Sequence, residues 1–140
     1  MEAIGAISGL ITVVEVSVRI TRLCLAYSRD VKNASDDIQR LEQTVLHLRS
    51  TTESVLDLLQ GPDNWRLQAS QKLRQAAEDS KTRLDNLEER LQPSSTRGKF
   101  MRFGLSSLKW PFQKKDMDRL VTELSQCSQA ISAALQVDQL

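Results

Sequence analysis

SDDIQRLEQTVLHLRSTTESVLDLLQGP, residues 35–62, is the stretch that decides the fold. Ser35 offers a capping hydroxyl to free backbone amides, and Asp36 and Asp37 place negative charge at the positive end of a helix dipole. Ile38, Leu41, Val45, Leu48, Thr52, Val55 and Leu59 then follow at alternating spacings of three and four, which lines one face of an α-helix. Gly61-Pro62 stops it at Gln60. A helix with a single apolar stripe has to bury that stripe, so the flanking sequence must supply partners.

Downstream there are two. A third helix starts after Asn64 and ends at Gln92, with Leu73, Ala77, Ser80, Leu84, Leu87 and Leu91 inward, and Pro93 follows it. A fourth runs from Lys114 to Val137 after Pro111, with Met117, Leu120, Leu124, Cys127, Ile131 and Ala134 inward. Upstream, the first helix covers Ala3 to Ser28. Its polar residues Ser8, Thr12, Glu15, Arg19 and Arg22 form one narrow stripe, with Glu15 and Arg19 spaced for an i,i+4 ion pair. Most of its remaining surface is apolar, as in a helix that is central in a bundle or destined for lipid. Four such stripes on short links predict an all-α protein. It is an antiparallel four-helix bundle with a short extra helix or basic loop before the last helix, in one domain over residues 1–140.

Composition narrows the functional classes. The chain is 40% hydrophobic and 26% charged, with only five glycines and three prolines, which favours helices over sheet. A net charge of +1 argues against a globally basic nucleic-acid binder, and no nucleic-acid partner is expected. Cys24 and Cys127 sit in apolar helical patterns with no CxxC or His spacing, which reads as two buried thiols in a reducing compartment. No basic region precedes the apolar N-terminus, and position 2 is not glycine, so neither a secretory signal nor myristoylation is expected. The uncharged N-terminal stretch, Ala3 to Val14, has 12 residues, short of the ~20 a spanning helix needs. A soluble, cytoplasmic resting state follows. His47 is the only histidine and has no oriented acid or nucleophile at triad spacing. No P-loop or dinucleotide fingerprint occurs. Catalytic, cofactor-binding and metal-binding residues are therefore all expected to be absent, and no enzyme is expected.

Residues 93–115 stand apart. Arg97, Lys99, Arg102, Lys109, Lys114 and Lys115 occur there without an acid, beside all three phenylalanines and Trp110. Lys99 to Lys109 has the pattern of a short amphipathic helix, weakened by Gly104. Two roles suit the segment. Trp110 and Phe112, around Pro111, can plug one end of the bundle. The six cations can attract an anionic membrane, at about 1 kcal/mol each near the surface.

Three stretches together resemble a known family. Residues 31–41, VKNASDDIQRL, are similar to the second-helix entry of the HeLo-like N-terminal domains of fungal STAND (NLR-like) proteins. Residues 108–115, LKWPFQKK, resemble their Trp-Pro-Phe segment before the last helix, and residues 131–136, ISAALQ, look like that helix's end. The resemblance implies the N-terminal domain of a longer receptor, whose nucleotide-binding domain lies C-terminal to it as a partner. It also implies regulated cell death, driven by homo-oligomerisation on activation and by insertion of the first helix into the plasma membrane.

On that reading Ile4, Ile7, Leu10, Ile11, Val14 and Val18 would face lipid. Gly5 and Gly9 would let helices approach closely, and Glu15 would face a water-filled lumen. Insertion would have to be oligomeric, because a lone acid at the bilayer centre costs about 2.5 kcal/mol or more. The alternatives are an ordinary core helix in a protein-interaction module that relays oligomerisation without touching membrane, and glycines that merely pack against the second or fourth helix.

Overall fold

The computed structural model describes the backbone of residues 2–31, 34–60, 71–92 and 110–139, with side chains between residues 5 and 134 of those ranges. Four helices fill it: α1 (Glu2–Asp30), α2 (Ser35–Gln60), α3 (Gln71–Leu91) and α4 (Lys114–Gln139). They pack as a four-helix bundle, with no strand among the described residues. The short helix expected over residues 99–109 lies outside them.

The helix ends follow local chemistry. The first bond of α2 runs from the Ile38 N–H to the Ala34 carbonyl at 3.0 Å, so Ala34 holds the cap position and Ser35 falls inside the first turn. At α4 the Met117 N–H donates to the Gln113 carbonyl at 3.0 Å. The Asp116 carboxylate reaches back to accept from the Gln113 N–H at 3.2 Å, which is half of a capping box.

Consecutive helices run in opposite directions, but sequence order is not spatial order. α1 lies beside α2 and α3, and α4 lies beside the same two, so α1 and α4 face each other across the diagonal. α1 and α3 run parallel: Gly5 meets Arg74, Gly9 meets Ala77, and Arg19 meets Glu88. Exposed ion pairs mark three of the four seams. They are Arg19–Glu88 between α1 and α3 (2.6 Å), Arg40–Asp118 between α2 and α4 (2.7 Å), and Arg83–Glu123 between α3 and α4 (3.0 Å). Such pairs contribute at most about 1 kcal/mol each, so they set register more than stability.

The core carries the weight. All seven residues of the α2 stripe are buried, joined by Leu56, and all six on α3, joined by Ala76. On α4, Leu120 is half-buried while Met117, Leu124, Cys127, Ile131 and Ala134 are buried. α1 contributes Ala6, Leu10, Val13, Val16, Ile20, Cys24 and Tyr27. Buried hydroxyls are satisfied inside their own helices: Ser17, Thr52 and Ser80 donate to the carbonyls of Val13, Leu48 and Ala76 at 2.7–2.8 Å.

Candidate functional site

α1 is a corner of the bundle, neither central nor loose. Its inward side is almost fully buried, and its outward side divides into two strips. One is polar: Ser8, Glu15, Arg19 and Arg22 are exposed, with Thr12 half-buried. The other is an apolar row of Ile7, Ile11, Val14, Val18 and Leu25, with Ile11 40% and Leu25 47% exposed and the rest half-buried. Leu10 belongs to the core, not to this row, and the side chain of Ile4 lies outside the described part.

Two features of the polar strip differ from the spacing rule. Arg19 does not pair with Glu15. Its guanidinium donates to both Glu88 oxygens, at 2.6 and 3.3 Å, because a parallel α3 presents a carboxylate in better alignment than the next turn of its own helix. That hydrogen bond, before any other influence, raises the Arg19 pKa. The second feature concerns the glycines. Gly9 faces α3, where an added Cβ would lie 3.2 Å from the Ala77 Cβ, and Gly5 faces the Arg74 side chain. In the folded bundle the two glycines and Glu15 therefore do not share a face, and the glycines pack against the third helix instead of the second or fourth.

At the opposite end from Gly5, aromatic rings close the bundle. Trp110 stands edge-on to Tyr27 (5.3 Å between centroids, 83°) and to Phe112 (5.2 Å, 75°), and the Arg90 guanidinium lies 4.4 Å over the Phe112 ring. The Tyr27 hydroxyl donates to the Leu91 carbonyl at 2.6 Å. The Trp110 Nε1 is buried with no hydrogen-bond partner among the described residues, so there the indole is held by its ring contacts. Pro111 bridges the two rings in sequence. Tyr27 was not singled out by the apolar pattern, although it falls three residues after Cys24 on the same face. Of the basic group, Lys114 and Lys115 are exposed in the first turn of α4, while Arg97, Lys99, Arg102 and Lys109 lie outside the described residues.

Among the described residues no group of three or more His, Cys, Asp or Glu is placed to hold a metal ion, and His47 is exposed on α2. No described helix is long and apolar enough to cross a membrane. Burial disfavours both thiolates: it pushes Cys24 up to about 12 and likewise raises Cys127. Cys24 therefore reports on α1. In the native protein its reaction with an aromatic disulfide reagent is expected to be limited by opening of the bundle. Folding raises its pKa, so its stabilising contribution is complete below the ordinary thiol range and is lost as pH climbs toward the folded value. Urea midpoints should fall at alkaline pH, and Cys24→Ala should flatten that fall. No family model, curated protein or solved structure matches this chain.

Proposed function

We propose that this chain is the N-terminal effector domain of a fungal NLR-like receptor. It self-associates when the receptor is activated and drives regulated cell death through α1 at the plasma membrane, without enzymatic chemistry. What supports this reading most is the outer side of α1, where an apolar row lies half-uncovered beside a polar strip carrying Glu15. A helix so divided suits an oligomer whose copies turn the apolar row to lipid and the acid to water. Lys114 and Lys115, with the four cations of the preceding segment, are proposed to hold the domain on anionic lipid.

A second reading, a helical relay module with no membrane activity, is favoured by the packing of α1. Withdrawing it would expose seven buried apolar side chains, among them Leu10, Val13, Val16, Ile20 and Tyr27. At about 1.5–3 kcal/mol for each large one, the cost is of the order of 10 kcal/mol. That rivals the whole stability of an ordinary domain, about 5–15 kcal/mol. Membrane insertion therefore requires that oligomer and lipid contacts offset the loss of most of the fold.

Dye-filled vesicles separate the two. Anionic vesicles are expected to leak increasingly as protein density rises, and neutral ones to stay sealed. Lys114→Glu/Lys115→Glu is expected to lower leakage several-fold, and Glu15→Ala to alter ion selectivity. Intact anionic vesicles at every density would leave the relay reading.

A further inference from the structure

The polar strip of α1 sets one cation among competing acids. Three carboxylates bear on the Arg19 guanidinium: Glu88, which accepts both of its hydrogen bonds, and Asp85 and Glu15, which act through charge alone. Asp85 is already engaged, with Lys81 at 3.1 Å along α3. Glu15 is exposed and holds no cation among the described residues. One acid therefore holds Arg19, one is occupied, and one stands vacant a single turn away on the same helix.

Which acid wins depends on where α1 stands. In the bundle, the parallel α3 brings Glu88, its side chain only 13% exposed, against Arg19 at 2.6 Å. Apart from α3, the helix offers Arg19 only Glu15 within one turn, at the i,i+4 spacing and with the acid N-terminal to the base, the better of the two orientations. Arg22 does not contest that acid, because it lies seven residues from Glu15, two turns away.

We propose that Arg19 exchanges carboxylates as α1 moves, Glu88 of α3 holding it while the bundle is closed and Glu15 of its own helix taking it when α1 leaves. The buried side chains of α1 set most of the cost of departure. The exchange biases that cost from both ends, since the first pair opposes opening and the second favours it. A helix that leaves in this way carries its acid already paired, which lessens the penalty of a lone carboxylate near lipid. The inference rests on the departure of α1 in the proposed function and names a contact that regulates it.

Cys24, buried on α1, reads the exchange in solution without any membrane, in a Cys127→Ala background that leaves it the one thiol. With an aromatic disulfide reagent dilute enough that reclosing outpaces reaction, the labelling rate measures the open population. Urea melts of the same proteins give the unfolded population. Cys24 is expected to open more often than the whole domain unfolds. Glu88→Gln is expected to speed its labelling by up to about fivefold. Glu15→Gln is expected to slow labelling about twofold with no change in urea midpoint, because its pair exists only in the opened, still helical α1. Added to Glu88→Gln, the same substitution is expected to leave labelling unchanged, since Arg19 then pairs with Glu15 in both states. Labelling no faster than global unfolding overturns the inference. So does a Glu88→Gln protein that labels at the parent rate, or a Glu15→Gln effect that is absent, or equal with and without Glu88. Leakage from anionic vesicles is measured in parallel. The expected thiol pattern with sealed vesicles leaves the exchange standing and counts against the membrane reading alone, whereas leakage without that pattern counts against the exchange alone.

Discussion

Gly9→Cys/Ala77→Cys, once oxidised, is expected to lose vesicle leakage altogether and to recover it on reduction. The two Cβ positions lie 3.2 Å apart, a little inside the ~3.8 Å typical of a disulfide, so a shift of a few tenths of an ångström between α1 and α3 is enough to close the bond. The loop it closes spans roughly 70 residues, and a bond of that reach stabilises by about 4 kcal/mol. The melting temperature should therefore rise while leakage vanishes, an opposition that simple damage to the fold would not produce. The native thiols are buried and should not compete. Leakage by the oxidised protein at the wild-type rate would mean that α1 never leaves α3. Insertion by helix release would then be wrong, whatever the oligomer looks like.

Tyr27→Ala is expected to destabilise the domain by about 3–5 kcal/mol, the range for removing a large buried aromatic. The ring is 1% exposed, stands against Trp110, and ties the end of α1 to the end of α3 through the Leu91 carbonyl. That carbonyl belongs to the last turn of α3, where no later amide of the helix can reach it. Tyr27→Phe, which keeps the ring and drops the donor, should cost about 1–2 kcal/mol. Urea denaturation followed by tryptophan fluorescence reads both. A Tyr27→Ala domain as stable as the wild type would mean that the aromatic end is ornament.

Much of the bundle was legible in the sequence because each helix writes its buried face in its own periodicity. The bounds of α2, Ser35 to Gln60, and the inward stripes of α2 and α3 needed only spacing, acidic residues at a helix start and glycine-proline stops, although the cap itself is Ala34 and not Ser35. α1 was harder. It is apolar nearly all round, so the pattern could not say that Ala6, Ser17 and Tyr27 turn inward while Ile11 and Leu25 turn out. Ser17 is admissible in the core only because its hydroxyl bonds back to Val13, a detail that spacing hides. Nor does periodicity name neighbours. The Arg19–Glu88 pair and the seating of Gly9 on Ala77 both follow from α1 running parallel to α3, which is a property of the assembly and not of either helix. The aromatic end was half legible: Trp110 and Phe112 announced a plug, whereas Tyr27 sits inside a long helix with nothing nearby to mark it.

The diagonal placement of α1 and α4 has a mechanical corollary. If α1 departs, the survivors form an arc, α2–α4–α3, and both remaining junctions run through α4. The last helix is then the keystone of whatever stays behind. Among the described residues, a disturbance at α4 in the intact domain reaches α1 by way of α2 or α3, or through Trp110, which precedes α4 and stands against Tyr27.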